Sequence, residues 1–223
     1  MINSVDKYFI DLLSGSQSMV LDHFALTVTN AWTWVPLYVM LLVLVIKNHD
    51  NMQQIFICFA CAILGVLMAT GLTSIVAKPY FERLRPCNDP EFKYLFDIAG
   101  NLHSKDYSFF SSHAATTMSL VAFFWFFARS RVMTLFMLIW SLTLCWSRMY
   151  LAQHFFTDVA VGVLWGIMTG SLAYYIYRRF SIRLFNVNNC ISDKYTLTGI
   201  DKFDTELVVL VLLLVFLYSI VII

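Results

Sequence analysis

Residues 147–158 read Ser147-Arg148-Met149-Tyr150-Leu151-Ala152-Gln153-His154-Phe155-Phe156-Thr157-Asp158, and they separate two apolar runs, residues 132–147 and 159–177. A guanidinium, an imidazole and a carboxylate are expensive at membrane depth, so ionisable residues in such a place point to a pathway or a reaction centre. Further apolar runs occupy residues 26–46, 55–77, 114–128 and 206–223, which makes six in all. Roughly 20 apolar residues cross a bilayer as a helix. The runs 114–128 and 132–147 are therefore short unless their polar flanks, Ser111, His113 and Arg148, also sit within membrane depth at helix ends that face a cavity.

Composition agrees. The 223 residues are 60% hydrophobic and 13% charged, with a mean hydropathy of +0.72, far more apolar surface than a soluble domain of this length buries. The expected fold is all-α, a polytopic membrane bundle of about six transmembrane helices. A net charge of +1 offers no footprint for nucleic acid. Cys58 and Cys61 lie in an apolar run with nothing to stabilise a thiolate and read as packing residues, and Cys87, Cys145 and Cys190 suggest no disulfide framework.

Four regions are expected: an interfacial amino-terminal segment (1–25), a transmembrane core (26–180), a cytoplasmic linker (181–205) and a final span (206–223). No cleavable signal is expected in residues 1–15. There Val5, Phe9, Ile10, Leu12 and Leu13 share one helical face and Asp6 and Lys7 lie elsewhere, as in a short helix lying at the interface. One set of loops carries Lys47, Arg129, Arg131, Arg178, Arg179, Arg183, Lys194 and Lys202, and is expected to be cytoplasmic. Both termini and all the polar clusters then belong to the opposite face. Trp32 and Trp34, and Tyr174, Tyr175 and Tyr177, fit interfacial belts. Gly162, Gly166 and Gly170 repeat every four residues and let a neighbouring helix approach, within the chain rather than between chains.

Two more polar clusters accompany residues 147–158: Lys78 with Arg85-Pro86, and Ser111-Ser112-His113. His154 and Asp158 are four apart, so on a helix the carboxylate can bond one imidazole nitrogen and leave the other free as base or nucleophile. A purely structural hydrogen bond is the plainer alternative. Arginine offers a planar fork of donors suited to phosphate and stays charged when desolvated, so Arg148, Lys78 and Arg85 suit an anion. Snorkelling toward headgroups is the alternative, and it is the expectation for Arg83 and Lys93. Pro86 holds Arg85 in an extended or turned conformation. Either Ser111 or Ser112 can cap the helix that follows, aiming its first N–H groups at an anion.

In this order and spacing the clusters resemble the type 2 phosphatidic acid phosphatase superfamily, whose signatures are K-x6-R-P, P-S-G-H and S-R-x5-H-x3-D. The first is complete from Lys78 to Pro86 and the third from Ser147 to Asp158. The second reads Phe110-Ser111-Ser112-His113, with Ser112 in place of the glycine whose amide approaches phosphate. The resemblance covers about residues 55–180.

It implies that His154 attacks phosphorus to form a phosphohistidine, that Asp158 orients it, and that His113 protonates the departing oxygen. Lys78, Arg85, Ser111, Ser112 and Arg148 would hold the phosphate. No cofactor and no metal are expected, since the cations can serve where other phosphatases use metal ions. The implied substrate is a lipid phosphate or diphosphate reached from the bilayer. The short core favours undecaprenyl diphosphate and a bacterial inner membrane with the site on its periplasmic face. Phosphatidylglycerophosphate, phosphatidic acid and lipid A phosphate are close competitors. A non-catalytic lipid-phosphate-binding protein, or haem ligation by His113 and His154, are the readings from other classes.

Overall fold

The computed structural model describes residues 4–14, 18–90, 92, 106–184 and 196–221, and every element among them is helical. In chain order these are α1 (Ser4–Leu13), α2 (Met19–Thr29), α3 (Val35–Lys47), α4 (Met52–Gly71), α5 (Lys78–Phe81), α6 (Ser112–Ala128), α7 (Arg131–Tyr150), α8 (Phe156–Leu184) and α9 (Lys202–Val221). A π-helical stretch, Leu72–Ala77, joins α4 to α5.

Four segments are long and apolar enough to cross a membrane: Met52–Asn88, Arg131–Tyr150, Phe156–Ser181 and Lys202–Val221. Their outer faces carry Leu67, Leu164, Met168 and Leu214, each more than half exposed, a belt suited to lipid. Helix α6 is shorter, at 17 residues, and begins at Ser112, while α7 extends to Tyr150. The polar flanks Ser112, His113, Ser147 and Arg148 therefore belong to the helices, as the short runs required.

The first apolar run, residues 26–46, is not one straight span. It is broken by a 68° bend between α2 and the helical stretch Ala31–Lys47. Asn30 is extended and its side chain accepts from Trp32 N–H at 3.1 Å, so it caps a new helical start in the middle of an apolar stretch. Trp34, expected in an interfacial belt, is instead buried between Trp140 and Phe216, with Nε1–H donated to the Val28 carbonyl at 2.8 Å. Trp32 is the exposed one of the pair.

Tightest of all is the packing of α6 against α8, where the glycine face lies. A Cβ on Gly162 would stand 2.7 Å from the Ser111 carbonyl oxygen, on Gly166 2.4 Å from that of Ala115, and on Gly170 2.1 Å from that of Ser119. The stripe thus serves packing inside the chain. Helix α9 lies on α3 and α7, tied at one end by Lys47 to Asp204 and by Asn48 Nδ2 to the same carboxylate at 3.0 Å. It starts at Lys202, earlier than the expected 206, and the expected boundary at residue 180 falls inside α8.

The amino-terminal helix forms as expected but with a different buried face. Ile10 packs with Phe92 and Phe155, and Phe9 stacks on Phe156 at 4.2 Å. Asp6, expected away from the apolar face, is 1% exposed, whereas Val5 and Leu12 point outward. Helix α1 is therefore docked on the bundle through a carboxylate. The physical reason is the part-buried guanidinium of Arg83, which pairs with it.

Candidate active site

All three polar clusters meet at one end of the bundle. Pro79 is tolerated in the first turn of α5, and the helix stops at Glu82, in left-handed conformation with φ of 43°. Arg85 follows in an extended conformation (φ −74°, ψ 152°), as Pro86 demands. Its guanidinium is buried and fixed: Nε donates to the Asp106 carbonyl at 2.9 Å, and Nη1 to the Gln153 carbonyl and Oε1 at 3.2 and 3.1 Å.

Ser111 is the cap of α6. Its Oγ accepts from Ala114 N–H at 3.4 Å, and its own N–H donates to the Asp158 carbonyl at 3.0 Å, which locks the start of α6 to the start of α8. The N–H groups of Ser112 and His113 lie ahead of the first intrahelical bond and are those that an anion can take. His113 presents an exposed ring from the same turn. Arg148 occupies the last turn of α7 and donates Nη1 to Thr29 Oγ1 at 3.0 Å. Among the described residues its Nε is buried without a partner, as is Ser112 Oγ. An unpaired buried donor beside other cations calls for an acceptor from outside the chain.

His154 sits in the turn between α7 and α8, 1% exposed. Its basicity is held well below the ordinary imidazole range, first by burial and then by the charges of Arg148, Arg85, His113 and Lys78. Those groups come from four separate segments, and each bears on the same ring electrostatically. The imidazole is neutral, and its Nδ1 lies 2.9 Å from the Ser108 carbonyl oxygen. That bond makes Nδ1 the protonated nitrogen and leaves the Nε2 lone pair available.

Two expectations are corrected here. The Asp158 carboxylate does not bond the imidazole; its nearer oxygen is 3.9 Å from Nδ1. Helix α8 begins only at Phe156, so His154 is outside it and the stacking of residues four apart does not apply. Asp158 instead accepts from Phe155 N–H at 3.0 Å, from the Ser108 hydroxyl and from Arg83 Nη1 at 2.6 Å. Arg83 is also not a snorkelling cation. It bridges Asp158 and Asp6, the latter at 2.6 Å through Nη2, with its guanidinium carbon 4.0 Å over the Phe155 ring. Lys93 lies outside the described residues.

Sequence reasoning missed Ser108, Asp6, Gln153 and Thr29, none of which is a fixed position of the three signatures. Ser147, which is in one, turns its hydroxyl back onto the Leu144 carbonyl at 2.8 Å. Among the described residues no group of three or more His, Cys, Asp or Glu is placed to hold a metal ion.

The chain matches the family model of the PAP2 superfamily over residues 56–182. It is similar to a lipid A 4'-phosphatase of Porphyromonas gingivalis, 31% identical over 179 residues covering 79% of this chain and 74% of that protein. A lipid A 4'-phosphatase of Bacteroides thetaiotaomicron is 28% identical over 186 residues, covering 82% and 81%. The crystal structure of Aquifex aeolicus LpxE shares the fold, with a TM-score of 0.57 at 21% identity over 78% of this chain and 96% of that one.

Proposed function

Because the chain belongs to the PAP2 superfamily and is a membrane lipid phosphatase, we propose that it removes a phosphate from lipid A, at the 4' position, through a phosphohistidine on His154. The observation that carries the mechanism is a buried imidazole tied at Nδ1, whose basicity is held down by burial and by the charges of Arg148, Arg85, His113 and Lys78. Mere binding of phosphate needs the cations but has no use for an oriented lone pair.

In this reading His154 Nε2 attacks phosphorus in line with the departing sugar oxygen, which His113 protonates. Water then cleaves the P–N bond and releases inorganic phosphate. Phosphoryl transfer asks the protein chiefly for positioning and for charge stabilisation of the non-bridging oxygens. Arg148, Arg85, Lys78 and the first amides of α6 supply both, with Arg148 Nε, which has no partner among the described residues, as one donor. Ser111 holds the turn, and Ser112 brings a hydroxyl where the family has glycine.

Lipid A is chosen over undecaprenyl diphosphate because two similar proteins carry the name lipid A 4'-phosphatase. The charge asymmetry of the loops favours a site on the periplasmic face of the inner membrane, where the acyl chains remain in the outer leaflet. The test is phosphate release by purified protein from lipid A diphosphate, undecaprenyl diphosphate, phosphatidylglycerophosphate and phosphatidic acid. Lipid A is expected to give the highest kcat/KM, with mass loss of one phosphate from the 4' position. A clear preference for any other lipid overturns the substrate assignment.

A further inference from the structure

We propose that helix α1 is part of the active site, with Asp6 as a positioning residue that holds Arg83 against Asp158 and thereby orients His154. The proposal rests on the reading of His154 as the nucleophile. Helix α1 lies outside the region matched by the family model, residues 56–182.

The contacts form a closed circuit. Asp6 Oδ2 pairs with Arg83 Nη2 at 2.6 Å, and Arg83 Nη1 pairs with Asp158 Oδ1 at 2.6 Å. Asp158 Oδ2 accepts from the Ser108 hydroxyl, and the Ser108 carbonyl takes the Nδ1 proton of His154. Ser108 N–H donates to the Arg83 carbonyl at 2.7 Å, so Arg83 holds the serine from its backbone while its side chain holds the aspartate. Asp6 also reaches the start of α8 directly: Oδ1 accepts from Thr157 N–H and Oδ2 from Thr157 Oγ1, both at 2.9 Å. It caps, from another helix, the first turn that carries Asp158.

The charge pattern explains why this carboxylate is needed. One guanidinium shared by two carboxylates, with 1% and 0% exposure, uses both arms of its fork. Without Asp6 one arm is left unpaired in a mostly buried place, and Arg83 gains by turning toward water and away from Asp158. The Phe155 ring under it, which packs with Ile10 and Phe92, anchors α1 but does not fix the fork.

The groups that face His154 are Arg148, Arg85, His113 and Lys78, with Asp158 at 3.9 Å. Changing charge in the Asp6–Arg83 pair alters the potential at the ring with a sign set by the residue removed. Asp6→Asn deletes a negative charge, so His154 protonates at lower pH and the acid limb of the rate profile moves down. Arg83→Gln deletes a positive charge, so the limb moves up.

The experiment measures kcat, KM and the pH profile of both variants on lipid A diphosphate in detergent. Each is expected to lose at least about tenfold in kcat, with KM changed less than about threefold and the two acid limbs displaced in opposite directions. Asp6→Glu is expected to recover part of kcat and serves if Asp6→Asn does not fold. Unchanged kcat with a lowered melting temperature, or limbs that do not separate, overturns the proposal and leaves α1 as a structural prop. If wild-type protein releases no phosphate from any lipid, the functional reading fails. The 15N spectra of labelled histidine then decide this inference alone: Asp6→Asn should mix the His154 tautomers, and an unchanged single tautomer overturns it.

Discussion

Ser108 holds the imidazole of His154 through its backbone, carbonyl oxygen to Nδ1 at 2.9 Å, while the nearer oxygen of Asp158 stands 3.9 Å away. The carboxylate thus acts at one remove, by gripping the serine hydroxyl and the Phe155 amide. Ser108→Ala keeps the carbonyl and deletes only the hydroxyl. A lost buried hydrogen bond is worth about 0.5–1.5 kcal/mol, so kcat should fall up to about tenfold. Asp158→Asn also breaks the ion pair with Arg83, a change that costs about 3–5 kcal/mol in buried pairs, and should be far more damaging to both rate and melting temperature. Equal effects of the two substitutions contradict this division.

The pH dependence follows from the direction of the His154 shift. Burial and four surrounding basic groups hold its pKa below the ordinary value of about 6.5. The imidazole is therefore neutral throughout the neutral range, and its protonation limits the rate only on the acid side of about pH 6.5. The same shift bears on stability. The folded pKa is depressed, so above about 6.5 the group is neutral in both states and its contribution is complete. As pH falls below that value the unfolded chain takes up a proton that the folded one refuses, and stability is lost. A histidine NMR titration that places His154 above 6.5 contradicts the assignment.

Two glycines set the distance between the helices that carry His113 and Asp158. Gly166→Ala and Gly170→Ala drive a Cβ to 2.4 and 2.1 Å from backbone carbonyl oxygens of α6, which cannot rotate away. Each should cost about 1–3 kcal/mol, read as a lowered melting temperature in detergent, and should reduce kcat by widening the site. Gly71→Ala meets nothing within 4 Å and serves as the control. Equal melting temperatures for all three would mean that the α6–α8 contact is looser than described.

In the proposed mechanism the positive charge at the phosphate comes from Lys78, Arg85 and Arg148. Hydrolysis is accordingly expected to proceed at full rate after exhaustive chelation. Loss of activity that added Mg2+ alone restores is the contrary result.

The sequence made the candidate site residues legible because their spacing is tied to helix ends: Lys78 and Arg85 flank a proline-terminated turn, Ser111 caps α6, and Arg148 lies in the last turn of α7. It misdirected where hydropathy was the sole signal. Residues 26–46 are uniformly apolar apart from few polar side chains, and nothing in that pattern encodes the 68° change of direction at Asn30. The spacing of His154 and Asp158 suggested direct contact, but a helix that starts at Phe156 leaves the histidine in the preceding turn. Arg83 and Asp6 read as surface charges because their partners are distant along the chain: they lie 77 residues from each other, Arg83 lies 75 from Asp158, and Asp6 lies 151 from Thr157.

The most direct test of the account is to find the phosphorus. Wild-type protein is mixed with lipid A diphosphate, quenched in alkali within a turnover to preserve an acid-labile P–N bond, digested, and mapped by mass spectrometry. One phosphate on His154 is predicted, absent from His154→Ala, which should also be folded and inactive. Phosphate on a different residue, or wild-type turnover by His154→Ala, would contradict it.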